Sequence, residues 1–498
     1  MKRIVNFAKR ASAVFALLAT TQIALSAQTF TTLHSFDGTD GANPYAGLVQ
    51  ATNGDLYGTT SSGGPSCAPD GCGTIFKITP RGALTTLYSF CANNVCTDGA
   101  TPYAGLVQAT DGDLYGTNIQ LGGNFDGGTV FKINPSGTLT TLYSFCLQAG
   151  CADGDEPWAP LIQARNSDLY GTTVAGGANP GGTYGLRYGT VFKITPNGTL
   201  TTLYSFCSQS GCTDGYFPWG GLLQATNGDL YGTTYLGGSS PFCQGCGTLF
   251  RITPSGTLTT LYSFCTQSGC ADGANPNAGL IEAINGDLYG TTSALGAYDG
   301  GTIFKITPSG TLTTLYSFCT QNGCADGANP SAAALVEATD GNFYGTTSAG
   351  GANGQGTVFK MTPSGALTTL YSFCSQSGCT DGATPYAGLV QDTNGTFYGT
   401  TYAGGANGVG TVFSLSVGLG PFVETRPTSG AVGAAVEILG SDLTGATGVS
   451  FNGTAAAFTV ASRYLITTTV PAGATTGKVR VVIPSRTLSS NVSFRVQP

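Results

Sequence analysis

Short runs of Thr, Val, Ile, Leu, Tyr and Phe, each bounded by Gly, Asn, Asp or Pro, recur along most of the chain. The phrase L-[YH]-S-F begins at residues 33, 87, 142, 203, 261, 315 and 370. Between copies come an A-x-L-[VI] run such as residues 46–52, then [LF]-Y-G-T, then G-T-[VIL]-F. Runs of this composition read as strands. NGD or DGD between the first two predicts a tight hairpin, and PSG, PNG or PRG between the last two predicts another. Four antiparallel strands repeated seven times predict an all-β chain built around a seven-bladed β-propeller. A solenoid would need atypical capping repeats, and none is seen.

The two ends of the repeat array complement each other. Residues 29–36 are a fourth strand without its first three, and residues 410–416 are a third strand without a fourth. The N-terminal strand is therefore expected to pair outside 410–416 and close the ring, removing free edges. After Ser416 the composition changes. The expected division is a signal peptide at 1–27, the propeller at 28–416, a linker at 417–421 and a small immunoglobulin-like β-sandwich at 422–498.

Composition sharpens this picture. Gly counts 77 of 498 residues, charged residues are 9% and hydrophobic ones 41%, which excludes helical bundles and disorder alike. Lys2, Arg3, Lys9 and Arg10, then an apolar stretch and small residues near 26–28, read as a secretory signal. That stretch is short for a membrane span, so an exported protein is expected: extracellular, at the cell surface or periplasmic, and a monomer.

The cysteines agree with export. Six couples repeat as SFC-x4-C, namely Cys91/Cys96, Cys146/Cys151, Cys207/Cys212, Cys265/Cys270, Cys319/Cys324 and Cys374/Cys379. Each of these six is expected to enclose a tight turn, such as residues 266–269. Cys67/Cys72 and Cys243/Cys246 complete eight couples with none left over. Eight local disulfides are expected. Metal ligation would need several thiolates converging on one ion, whereas the couples are spread about one per repeat.

Charge is uneven. Residues 29–416 carry nine basic and 23 acidic residues, against six and three in 417–498. An acidic propeller argues against nucleic acid as a partner.

The GDLYGTT…GTVFKITPSGTLTTLYSF phrase resembles the bacterial tandem-repeat family called GloVer, and residues 422–496 resemble an IPT/TIG module. The first resemblance implies the repeat fold and export without an activity; the second implies the β-sandwich.

Strand order places both tight hairpins on one face and every cysteine couple on the other, so the loop-rich face is the candidate site. A D-G-x-x-P turn precedes each blade, with Asp40, Asp98, Asp153, Asp214, Asp272, Asp326 and Asp381. Calcium is the one cofactor such a ring could hold, but repetition in every blade reads as turn chemistry. After the Pro stand Tyr45, Tyr103, Trp158, Trp219, Asn277, Ser331 and Tyr386. Trp158, Trp219 and Tyr103, with Asp155, Glu156, Tyr216 and Phe217 in the same connections, are the expected ligand-binding residues; inter-blade packing is the plainer use of such rings. His34, the only histidine, stands where other repeats have Tyr and reads as structural. No histidine-dependent nucleophile can be assembled. The resulting expectation is a non-catalytic binding protein for a glycan or protein ligand. A polysaccharide-active hydrolase or lyase using Asp153, Asp155 and Glu156 is the alternative, and a structural spacer the third reading.

Overall fold

The computed structural model describes residues 28–497, except 68–69, 93–95, 123–125, 180–186, 244 and 331–333. The expected signal peptide and Ser331 lie outside the described residues. Seven four-stranded antiparallel sheets form the propeller. The first blade comprises Val49–Gln50, Leu56–Thr60, Thr74–Ile78 and Leu84–Ser89. In the last blade Thr29–Ser35 lies outside Thr411–Ser416, pairing Thr29 with Ser416 and Ser35 with Thr411.

The repeat phrases have a packing cause. Gly58 pairs across the sheet with Phe76, and a Cβ on Gly58 would meet Phe76 Cζ at 2.6 Å and Leu48 Cδ2 at 2.8 Å. The absent side chain is the slot for the aromatic ring, so Y-G-T and G-T-[VIL]-F belong together. Leu48 occupies the same slot, and the ladder to the innermost strand is accordingly only two residues long, shorter than the 46–52 run suggests.

Apolar clusters form between blades rather than within them. Tyr57, Ile75 and Phe90 of the first blade pack with Leu106, Leu114, Phe131 and Ile133 of the second. A polar belt on the hairpin face ties blade to blade. Gln50, Gln108, Gln163, Gln224, Glu282, Glu337 and Gln391 each accept a hydrogen bond from a backbone N–H of the preceding blade, at 2.8–3.2 Å.

Strands and plain turns do not account for every connection. Five of the cysteine loops contain a single 3-10 turn: Ala149–Cys151, Ser210–Cys212, Ser268–Cys270, Asn322–Cys324 and Ser377–Cys379. Each of these turns ends on the second cysteine of its couple, which itself takes a left-handed φ of 52–54°. The cause is local. The N–H of each donates to the Gln carbonyl three residues earlier (Gln148, Gln209, Gln267, Gln321 and Gln376) at 2.8–2.9 Å, the bond that defines a 3-10 turn. The intervening Gly takes a left-handed φ of 66–71°, open to glycine at little cost, and so lets the chain tighten.

The C-terminal unit is immunoglobulin-like, with two antiparallel layers bridged by the long strand Arg486–Gln497. Val423, Ile438, Leu443, Phe451, Ile466, Val479, Val481 and Phe494 fill it. It sits on the hairpin face. Arg426 donates to the Gln50 carbonyl at 2.9 Å and to Gln108 Oε1 at 3.4 Å, while Arg495 donates to the Thr226 carbonyl at 3.0 Å. The Tyr464 ring lies against Gly54, and the Thr393 and Ser441 hydroxyls are 3.1 Å apart. These contacts reach the first, second, fourth and seventh blades, so the module straddles the propeller axis on that side. Among the described residues no helix is long and apolar enough to cross a membrane.

Candidate functional site at the mouth of the central channel

The seven aspartates have defined partners. Each anchors its turn through groups earlier in the chain. In six blades the Tyr hydroxyl of L-Y-S-F donates to the Asp Oδ2 at 2.7–2.9 Å (Tyr88 to Asp98, Tyr143 to Asp153, and so on to Tyr371 and Asp381). Backbone N–H groups of the cysteine loop add further donors, such as Ser375 and Gln376 to Asp381. In the seventh blade His34 Nε2 lies 2.6 Å from Asp40 Oδ2. These carboxylates are occupied in holding the fourth strand to the turn that leads into the next blade.

All eight cysteine couples are disulfides, and they stiffen the same loops. Cys91–Cys96, Cys146–Cys151, Cys207–Cys212, Cys265–Cys270, Cys319–Cys324 and Cys374–Cys379 recur after the fourth strand. Cys67–Cys72 and Cys243–Cys246 lie between the second and third. In the five loops with a 3-10 turn, the second cysteine closes both the turn and the disulfide, so one residue carries two constraints. Cys151, Cys212, Cys270, Cys324 and Cys379 are half-buried. The couples are not uniformly dispersed, however. Cys67, Cys72, Cys91 and Cys96 come together in the first blade, and Cys243, Cys246 and Cys265 in the fourth. The expectation of well-separated couples fails there, because a hairpin joins the two loops of one blade.

Inside the ring of turns lies a pit on the axis, about 310 Å³ in volume, into which every blade projects its innermost segment. Tyr45, Tyr103, Trp158, Trp219 and Asn277 stand at its mouth; Gly47, Gly105, Pro160, Gly221, Gly279, Ala334 and Gly388 form its neck. Small residues are required at that neck: a Cβ on Gly47 would come within 3.1 Å of the Gly388 carbonyl of the neighbouring blade. The lining contains no carboxylate, histidine, lysine or arginine among the described residues.

The aromatic residues form a continuous arc. Going round the ring, Tyr386 stacks on Tyr45 at 4.9 Å, and Tyr45 meets Tyr103 edge-on at 4.7 Å. Tyr103 then stacks on Trp158 at 4.9 Å, and Trp158 on Trp219 at 5.7 Å, both pairs 12° from parallel. Tyr235 covers the far side of Trp219 at 4.0 Å. Each indole is thus engaged by two other rings. The rings are half-buried, and the indole N–H groups of Trp158 and Trp219 are buried without a protein acceptor.

The remaining sequence-predicted residues do not line this pit. Asp155 takes part in a bridge to Ala175, and burial, followed by the Glu156 charge, pushes its carboxyl up to about 6. Tyr216 packs edge-on against Tyr188 and Phe217, at 5.3 and 4.9 Å. The structure therefore brings together Tyr103, Trp158 and Trp219 and leaves Asp155, Glu156, Tyr216 and Phe217 outside. Tyr235 and Tyr402 escaped sequence reasoning; their signal is the residue after Y-G-T-T, aromatic in only those two blades.

The chain matches the Gloeobacter/Verrucomicrobia repeat over residues 19–184, 151–325 and 320–457, and the IPT/TIG domain over 423–496. It belongs to the Gloeobacter/Verrucomicrobia repeat family. No curated protein matches it. Similar solved structures include a fungal alcohol oxidase of the AA5 family in complex with copper (TM-score 0.49, 12% identity, covering 94% of this chain and 99% of that one). A luciferin-regenerating enzyme (0.40, 9%, 80% and 98%) and a protein of unknown function from Dyadobacter fermentans (0.41, 10%, 78% and 96%) are also similar. At these scores the likenesses carry no argument about chemistry.

Proposed function

We propose that the protein is an exported, non-catalytic binding protein that receives an uncharged ligand, a saccharide chain end, in the axial pit. The observation that carries this reading is the pit itself: lined by aromatic residues on one side, by Asn277 and small residues on the other, and, among the described residues, free of charged side chains. Its volume falls at the small end of ligand sites, roughly 300–1,000 Å³. A neutral lining with mixed aromatic and amide character suits a neutral, amphipathic ring. The C-terminal module across the opposite face favours entry from the loop side. Eight disulfides support an oxidising location. The hydrolase reading lacks support, because the carboxylates it needs stand away from the pit.

Glycan and peptide arrays probed with purified protein test this, followed by calorimetry on the hits. Trp158→Ala and Trp219→Ala should weaken saccharide binding about ten-fold, while Asn277→Ala stays within about two-fold. Equal losses from both sides, or binding only to peptides, would reject the saccharide assignment.

A further inference from the structure

Blades one and four differ from the rest by a second cysteine couple, placed between their second and third strands. In the first blade the Sγ atoms of Cys67, Cys72, Cys91 and Cys96 all lie within 4.8 Å of one another. In the fourth the same holds for Cys243, Cys246 and Cys265, the last of which is bonded to Cys270. Topology is the cause. Eighteen residues (73–90 and 247–264) separate the inner cysteines of each group, and they contain one hairpin. Thr74 pairs with Ser89 and Thr248 with Ser263, so the chain leaves each hairpin beside the point where it entered. Cys72 and Cys91 then share one apolar cluster, and Cys246 and Cys265 another. Two couples flanking a hairpin, spaced C-x4-C-x18-C-x4-C and C-x2-C-x18-C-x4-C, match the layout that holds zinc in small β modules.

We propose that, when its cysteines are thiols, the chain binds two soft divalent ions of the zinc class, one at each doubled couple. Four thiolates around Zn²⁺ at about 2.3 Å place their sulfurs about 3.8 Å apart. In the first blade, sulfurs of different couples need close by no more than about 1 Å to reach that distance, and partners within a couple need only part; in the fourth the same holds for Cys243 and Cys246 against Cys265, with Cys270, bonded to Cys265, as the fourth ligand. Each ion displaces four thiol protons, which leave to solvent, and no electron transfer is involved. Disulfide and metal are alternative states of the same sulfurs. Single couples such as Cys146/Cys151 offer two sulfurs, and the one histidine is engaged with Asp40, so they fall short of a four-ligand set.

Full-length protein, reduced with a phosphine under argon, is titrated with Co²⁺ and read by its thiolate charge-transfer and tetrahedral d–d absorption, then displaced by Zn²⁺. Two equivalents are expected, falling to one in Cys67→Ser/Cys72→Ser and to none when Cys243→Ser/Cys246→Ser is added. Oxidised protein should take up none. No uptake, one ion per couple, a stoichiometry indifferent to the substitutions, or the same spectrum in concentrated urea would each overturn the assignment.

Discussion

The hydroxyl of Tyr371 donates to the carboxylate of Asp381 at 2.7 Å, across ten residues that include a whole disulfide loop. The same aspartate accepts from the Ser375 and Gln376 amides. Burial works to raise its pKa, yet these donors outweigh burial and hold it below the ordinary value. One side chain thus fixes the strand end, the loop and the entry to the next blade.

Asp381→Ala should cost about 2–3 kcal/mol, because it strands several buried donors, whereas Tyr371→Phe should cost about 1 kcal/mol. Asp326 is held below its usual value in the same way. A folded-state pKa below the unfolded one gives stability present in full above the unfolded value and lost as pH falls toward the folded one. Urea midpoints from pH 7 down to pH 3 should therefore drop less for Asp381→Ala than for the parent.

His34 occupies the tyrosine position in the closing blade, 2.6 Å from Asp40. His34→Tyr should remain within about 0.5 kcal/mol of the parent, since the hydroxyl rebuilds the contact found in six other blades. His34→Ala should lose about 1–2 kcal/mol. Thermal unfolding separates the outcomes; a loss from His34→Tyr as large as from His34→Ala would show that the seventh blade is not equivalent.

The strand phrases were legible because each encodes a contact between strands neighbouring in sequence: Gly58 with Phe76, Leu48 over both. Ring closure was legible because Thr29–Ser35 lacks local partners and Thr411–Ser416 lacks an outer neighbour. The pit was half legible. Trp158 and Trp219 stood out by composition, but whether a ring offers face or edge depends on inter-blade spacing, which no phrase records. The pairing within each cysteine couple could be read from spacing, but the 3-10 turns that end at Cys151, Cys212, Cys324 and Cys379 could not. The convergence of Cys67 and Cys72 on Cys91 and Cys96 depends on hairpin register. Docking of the C-terminal module rests on single residues such as Arg426, with no repetition to reveal them.

Gly58→Ala tests the slot directly. Its Cβ would overlap Phe76 Cζ and Leu48 Cδ2, both buried, so the change should cost about 1–3 kcal/mol. Adding Phe76→Leu should recover part of that loss, as the two changes act on one contact. A double variant no better than the sum of the single changes would refute the coupling.

Arg426 joins the module to the propeller through the Gln50 carbonyl and Gln108 Oε1, and it also pairs with Glu424 at 2.9 Å. Arg426→Ala should uncouple the two units while leaving each folded. Calorimetry should then resolve two transitions where the parent shows one, and cleavage by protease near residues 417–421 should accelerate. A single unshifted transition would mean the remaining contacts suffice.

Asp155 offers the clearest test by pH. The corresponding residue is Ala42, Ala100, Ala274, Ala328 and Ala383 in five other blades, so an acid here is a local departure. Burial first, then the Glu156 charge, lifts its carboxyl from 3.8 to about 6. An acid whose folded pKa exceeds its unfolded value binds its proton more tightly when folded. Folding is then favoured least above about pH 6, where the charge must be buried, and the penalty fades as pH falls to about 4. Asp155→Ala should accordingly raise stability by about 1 kcal/mol at pH 7, a figure reduced for the half-exposed position, and by almost nothing at pH 4. Urea denaturation of parent and variant at both pH values is the measurement. Saccharide binding should be unchanged by the substitution, because Asp155 lies outside the pit; a loss of binding, or a gain in stability equal at both pH values, would contradict this placement of the charge.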